Sequence, residues 1–436
     1  MSQRSLPTAT VPDQSPAAGS RIFYGWWILL LGAVINGIGS GIAYHGFTVF
    51  FLPLKRDLGV SSAAISLLYG AARLEGGFEG PVVGYLIDRF GFRKMIIIGS
   101  ALAGLGLIFL SRVESFFTFF LVYVFVIALG SNAAFFHPVS TGVNKWFIRH
   151  RGLGFSVITA SGSIGGMIMA PVLSYIILNY GWRNGAILAG LMILTIAIPA
   201  ALPLKASPEE AGLHPDGLAP SGNQSEAKDP SRQIADEKDF IVKDALKTPQ
   251  FWLLMTCISL RLMVTVALNT HFVPLLVWKG MSEATCAYLV SLYAFSSIPL
   301  AIGLGWMGDR WNKARLSGLC ILPIILAMVG MIFWQGEAIL YLYPIAFAFI
   351  MGTAPLNWAL IGDFFGRRSY ATLRGIMGLG YGLATFLSPI YAGWIFDRTE
   401  SYDLVLITFS VILAFAAFCF IVLSPPARTP AKRRYS

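Results

Sequence analysis

Several ionisable side chains in this sequence lie inside otherwise apolar surroundings. The stretch AARLEGGFEGPVVGYLIDRFG (71–91) carries Arg73, Glu75 and Glu79 well before its charged end at Asp88 and Arg89. Glu75 and Glu79 are four residues apart, so a helix puts both carboxylates on one face. Two carboxylates on one buried face favour keeping a proton between them over ionising together. Counting back from Asp88 at ~1.5 Å per residue puts Glu79 roughly 13 Å deep, Glu75 roughly 20 Å and Arg73 roughly 22 Å. Arg73 and Glu75 are roughly 160–200° apart around an ideal helix, so they are not expected to pair with each other. Such carboxylates either exchange protons as their surroundings change or pair with neighbouring helices and hold them together.

Arg261 is a second buried charge, ~16 Å into its apolar segment, with no acid at i+3 or i+4. It suits bidentate recognition of a carboxylate; a permanent partner such as Glu79 is the rival expectation. Histidine as a residue type titrates near neutral pH, so His45, His137 and His271 are proton- or substrate-binding candidates. The bland alternatives are satisfied helix-end histidines and, for His137 before Pro138, a local kink partner. Asn36, Asn132, Asn269 and Asn357 add polar points, and Phe135, Phe136 and Trp358 are aromatic neighbours able to wall a pocket. Nothing here reads as an enzyme: no ordered nucleophile–base set or phosphate loop appears. The four cysteines are scattered, with no CxxC or Cys/His cluster, so neither metal, cofactor nor disulfide is expected.

These groups need elements that live in lipid. Of 436 residues, 56% are hydrophobic and only 12% charged, and apolar runs of membrane-spanning length recur along the chain. Twelve spans are predicted at 23–50, 61–87, 95–111, 116–141, 153–178, 182–203, 250–276, 283–307, 314–334, 338–361, 371–396 and 403–424. With the N-terminus in the cytoplasm, 24 of the 32 Lys and Arg residues fall on cytoplasmic segments, Arg374 among them. The positive-inside rule then puts both termini in the cytoplasm. It also explains the net charge of +10 through the lipid bilayer, without nucleic acid. Residues 1–21 lack the features of a signal peptide and read as a disordered tail.

The chain also repeats itself. GYLIDR (84–89) after the second span matches GWMGDR (305–310) after the eighth. NKWFIRHRGLGFSV before the fifth resembles GDFFGRRSYATLRGI before the eleventh. Gly162 and Pro171 share their spacing with Gly380 and Pro389. The predicted organisation is a tail (1–21), a six-helix bundle (22–203), a cytoplasmic linker (204–248), a second six-helix bundle (249–425) and a basic tail (426–436). KDALKTPQFW, at the end of the linker, suits a short surface helix. Gly162 with Gly166, and Gly378 with Gly382, form GxxxG faces for close packing.

GYLIDRFGFRK matches the loop signature of the major facilitator superfamily. GFSVITASGSIGGMIMAP is similar to the fifth-helix motif of its antiporters, with Ala170-Pro171 in place of Gly-Pro. FYGWWILL, NKWFIRHRG, YGWRNGAILAG and EEAGLHPDG resemble the bacterial monocarboxylate/oxalate–formate porter branch. The resemblance covers about residues 22–425. It implies an all-α membrane protein of twelve transmembrane helices in two pseudo-symmetric six-helix bundles, with spans one, four, seven and ten lining the cavity. It implies a secondary carrier in the cell membrane, working as a monomer by rocker-switch alternating access. The cargo would be a small organic anion, with protons or a counter-substrate; an efflux carrier for amphipathic or cationic compounds is the alternative. The loop residues Asp88, Arg89 and Arg93, and their reduced copy Asp309 and Arg310, would act at the cytoplasmic gate. His45 stands where monocarboxylate porters have a lysine. The branch's acid and arginine of span eight are replaced by Ser297 and Ala301, and no buried base is expected in spans eight or eleven. The anion would then fall to Arg73 and Arg261.

Overall fold

The computed structural model describes residues 23–45, 50, 53–54, 57–59, 62–217, 240–334 and 336–426, and every regular element among them is helical. Residues 1–21, 218–239 of the linker and 427–436 lie outside this description, as do the side chains of His45 and Arg73. Among the described residues there are twelve long helices: α1 Tyr24–Ala43, α2 Ser62–Phe90, α3 Phe92–Leu110, α4 Phe116–Trp146, α5 Arg151–Tyr180 and α6 Trp182–Ala201. The second set is α7 Pro249–Thr270, α8 Glu283–Gly308, α9 Lys313–Phe333, α10 Glu337–Phe365, α11 Tyr370–Thr399 and α12 Asp403–Val422. Eleven of them are long and apolar enough to cross a membrane; α2, which carries the buried charges, is the exception. Large apolar side chains such as Leu178, Phe295 and Phe333 are exposed on the outer surface, as lipid contact requires.

Local sequence starts and turns these helices. Ser115, Thr248, Ser282 and Asn312 accept hydrogen bonds from the backbone N–H three residues on, capping α4, α7, α8 and α9. Each such cap is worth about 1 kcal/mol. Gly91, inside the loop signature, turns α2 into α3 with φ 87°, a backbone that side chains rarely adopt. Val242–Ala245 forms the short helix expected before α7. The fourth and tenth helices run on to Trp146 and Phe365, beyond the predicted ends. The seventh predicted span is broken at His271, after which Phe272–Trp278 continues as a separate helix.

Three interruptions bend the bundle's interior. α4 holds a π-turn at Tyr123–Ala128 and breaks at Phe135, three residues before Pro138. α10 breaks at Thr353, two residues before Pro355. Proline removes a backbone donor and crowds the preceding turn, so both breaks follow from sequence. Helices approach closest at small residues. Gly37 and Gly41 of α1 meet Gly165 of α5, so the tightest contact falls one residue before the Gly166 expected; Gly162 faces Asn36 and Ser40. Gly80 meets Gly375, Gly84 meets Ala371, and Gly77 lies between Gly378 and Gly382, which brings α2 against α11. Gly375 therefore carries the tight approach expected of Gly378. Pro171 and Pro389 lie within α5 and α11.

Candidate functional site

Both sequence motifs place an aspartate under the first turn of a helix from the other half. Asp88 accepts hydrogen bonds from the N–H groups of Ala371 (3.3 Å) and Thr372 (2.8 Å) and from the Thr372 hydroxyl (2.7 Å), at the start of α11. Asp309 accepts from the N–H groups of Gly152 (2.6 Å) and Leu153 (2.9 Å), at the start of α5. A carboxylate there satisfies free N–H groups and meets the positive end of the helix dipole. Around Asp309 the charges form a cluster. Lys313 Nζ is 3.6 Å from Asp309 and 2.9 Å from Asp363, which also accepts from Arg151 at 2.9 Å. Arg89, Arg93 and Arg310 are exposed; Arg89 reaches the Tyr85 hydroxyl and Arg310 stacks 3.7 Å over Trp306. These contacts close the face of the bundle that carries the α2–α3, α4–α5, α8–α9 and α10–α11 turns, hereafter the basic face.

Above this closure lies a cavity of about 360 Å³, walled by α1, α2, α4, α10 and α11. α4 contributes Tyr123 from its π-turn, Asn132 from the turn between its two interruptions and His137 just after its break, and α10 contributes Trp358. Glu79 lines it from α2, 9% exposed, with Glu75 and Asn132 beside it and neither of its oxygens in a well-formed hydrogen bond. Gly76 makes room for Asn132, whose amide nitrogen lies 2.8 Å from where a Cβ would stand. His137 Nδ1 is buried without a hydrogen-bond partner; the residue's carbonyl accepts from the hydroxyls of Ser140 and Thr141.

The cavity also holds a charge that the positive-inside count assigns to the cytoplasmic side although it falls three residues inside the predicted eleventh span. Arg374 is 2% exposed, one turn into α11. Its guanidinium carbon lies 4.5 Å from the ring centres of both Phe136 and Trp358. Nη1 donates to the Ser140 hydroxyl and the Phe136 carbonyl, while Nε is buried with no partner. No carboxylate pairs with it among the described residues. The expectation that span eleven lacks a buried base is therefore corrected. α11 begins inside the bundle, with Asp88 under its first turn, so a residue at the cytoplasmic edge of the predicted span lies within the core.

The other candidates disperse. Arg261 is 1% exposed but does not line the cavity; Nη1 donates to the Ile350 carbonyl at 3.0 Å and Nε and Nη2 have no partner. It is not paired with Glu79. His271 joins the Tyr402 hydroxyl (2.9 Å) and the Pro389 carbonyl (3.0 Å), tying the end of α7 to α11 and to the residue before α12. Asn36 donates to Ile158 O and the Ser161 hydroxyl between α1 and α5. Asn269 accepts from the Tyr293 hydroxyl. Asn357 is fully buried beside Trp358 with both amide atoms unpartnered. Thus Glu79, Asn132 and His137 come together with Arg374, while Arg261, His271, Asn36 and Asn269 do not join them. Tyr381 and Thr385 of α11 complete the polar lining and were not singled out from sequence.

Twelve helices in two matching sets, closed at one end by reciprocal aspartate caps around a buried polar cavity, define a membrane transporter. The family model of the Major Facilitator Superfamily matches residues 29–389 and 280–435, and the chain belongs to that family. It is 23% identical to Monocarboxylate transporter 12 of Xenopus laevis, over 92% of this chain and 88% of that protein. It is also 23% identical to the Oxalate:formate antiporter of Oxalobacter formigenes, over 93% and 94%. Among solved structures it is similar in fold to FucP in the outward conformation, with TM-score 0.66 and 14% identity over 91% of this chain and 98% of that one. The chain is thus a secondary transporter and not an enzyme.

Proposed function

We propose that this transporter carries a small organic anion, a mono- or dicarboxylate, across the cell membrane by rocking its two halves about the cavity. Arg374 anchors the anion and Glu79, beside Glu75, takes up and releases the coupled proton or responds to a counter-substrate. The observation that carries this reading is the free Nε of Arg374, buried between two aromatic rings with no carboxylate partner among the described residues. A buried unpaired guanidinium is costly, and an incoming carboxylate that satisfies it is bound strongly for that reason. The relatives named for monocarboxylates and for oxalate and formate support the same cargo class. The excess of Lys and Arg makes the basic face cytoplasmic, with both termini on that side. The closed basic face then corresponds to an outward-open state, held by Asp88 and Asp309, and a monomer contains the whole site.

The test is uptake of labelled mono- and dicarboxylates into liposomes containing the purified protein, with and without an inward proton gradient. Arg374→Ala should lower carboxylate uptake by about 10- to 100-fold, the worth of a charge-assisted hydrogen bond. Arg374→Lys should recover only part, because it loses the planar fork. Unchanged uptake by a correctly inserted Arg374→Ala protein would overturn the reading. Efflux of amphipathic cations is the second reading, favoured by the unpartnered oxygens of Glu79. It predicts that Glu79→Gln, not Arg374→Ala, abolishes substrate binding.

A further inference from the structure

EEAGLHPDG (209–217), just after α6, is folded against both halves on the cytoplasmic face. Glu209 accepts from Arg367 Nη2 at 2.5 Å, and Arg367 Nη1 donates to the Lys145 carbonyl at 3.0 Å. Asp216 Oδ2 accepts from the N–H groups of Ile148 (2.9 Å) and Arg149 (2.8 Å), while Oδ1 lies 3.2 Å from His150 Nδ1. Trp146 Nε1 donates to the Lys205 carbonyl at 3.1 Å. The segment is therefore bonded to the α4–α5 turn of the first half and the α10–α11 turn of the second. The Asp216 side chain is only 3% exposed, and its backbone is left-handed at φ 56°, ψ 9°. Glycine adopts that backbone more readily; aspartate supplies the buried carboxylate that glycine lacks.

We propose that residues 204–217 form a latch that ties the two halves together across the cytoplasmic mouth and must release before that mouth opens. The latch depends on neither the cargo nor Arg374. His150 makes it sensitive to pH. The hydrogen bond that the protonated His150 donates to Asp216 raises the His150 pKa against the effect of burial; the charges of Asp216 and Asp309 add to it and Arg149 opposes it. Burial pushes the Asp216 carboxyl up, but His150 and the two N–H groups outweigh it and leave the carboxyl below its usual range. Arg310 lines the same pocket and the Trp26 ring lies 6.1 Å away. A raised histidine pKa means that the pairing is complete below about pH 6.5 and is lost as pH rises through the raised value. The depressed Asp216 pKa keeps its contribution intact down to about pH 4. Cytoplasmic acid therefore tightens the latch and alkali loosens it.

The test uses full-length protein in lipid nanodiscs without cargo, so its outcome is independent of the anion reading. Spin labels go on Lys94→Cys and Arg315→Cys, exposed positions at the starts of α3 and α9; the four native cysteines are buried. Label-to-label distances are measured at pH 6 and pH 8. The wild type should gain long, cytoplasm-open distances at pH 8. Asp216→Gly and Glu209→Gln should raise that population by about twofold or more at pH 6. His150→Gln should flatten the pH response. Glu209 and His150 are half-exposed, so their variants carry the test if Asp216→Gly fails to fold. Distributions identical to wild type in Glu209→Gln and His150→Gln at both pH values would overturn the latch.

Discussion

The two crossings that join the halves, α2 on α11 and α8 on α5, share a backbone plan but not a chemistry. Asp88 and Asp309 cap equivalent first turns, and Gly84 and Gly305 let equivalent backbones touch. Aligned on those caps, Arg374 falls opposite Phe155, which is fully buried and stacks on Tyr370 at 6.0 Å. Glu79 falls opposite Leu300. The α5–α8 crossing holds instead the cluster of Arg151, Asp363, Lys313 and Asp309, and Ser156 donates to the Ala301 carbonyl at 2.7 Å. One copy of the repeat holds a charge-paired brace, and the other holds the polar cavity proposed to bind the anion. The backbone plan is repeated, while the charges are not, and the unpaired Arg374 stands on only one of the two crossings.

The largest effects should come from the α2–α11 side. Arg374→Ala should remove most transport, by about 10- to 100-fold in uptake, whereas Phe155→Leu should leave substrate affinity in place. Glu79→Gln keeps the shape of the side chain and removes its ability to ionise. Proton-driven accumulation should disappear while carboxylate exchange across the membrane at equal pH persists. If both activities survive, Glu79 is a packing residue and the proton passes elsewhere.

On the brace side the effect should appear as stability. Asp363→Asn leaves Arg151, 3% exposed, without its acid. Breaking such a buried pair costs about 3 kcal/mol. Asp88→Asn loses charge at a helix start that keeps hydroxyl and amide partners, nearer about 1 kcal/mol. Thermal unfolding of the purified variants ranks the two, and equal losses would mean that the brace is shared between crossings.

This division explains what could be read in advance. The twelve helices were legible as apolar runs, including the second at 61–87, where the buried charges interrupt but do not hide the pattern. Glu79, Asn132 and His137 were legible because polar groups stand out against apolar helix. Arg374 was not, because it follows Arg367 and Arg368 by a few residues and, at the very edge of the predicted span 371–396, groups with them as cytoplasmic charge. The internal repeat held the missing signal, since its register places Arg374 opposite Phe155, an apolar position inside the fifth span. Arg261 misled for the opposite reason. Depth along a helix is readable from sequence, but the neighbour it faces is set by packing, and here that neighbour is α10.

The smallest expected effects separate contact from motion along α2 and α11. A Cβ at Gly80 would stand 2.9 Å from the Gly375 carbonyl oxygen, which is backbone and cannot turn aside. Gly80→Ala must therefore part the helices, at about 1–3 kcal/mol for overpacking, and should favour the cytoplasm-open state. A Cβ at Gly382 would stand 3.5 Å from Gly77, an ordinary contact. Gly382→Ala should change stability by less than about 0.5 kcal/mol and leave uptake close to wild type. Parallel uptake and unfolding measurements on the two variants decide the point. Should Gly382→Ala slow transport while leaving stability unchanged, the glycine face beyond the crossing is a surface on which α11 slides during rocking, and the tight approach at Gly80 is only its resting position.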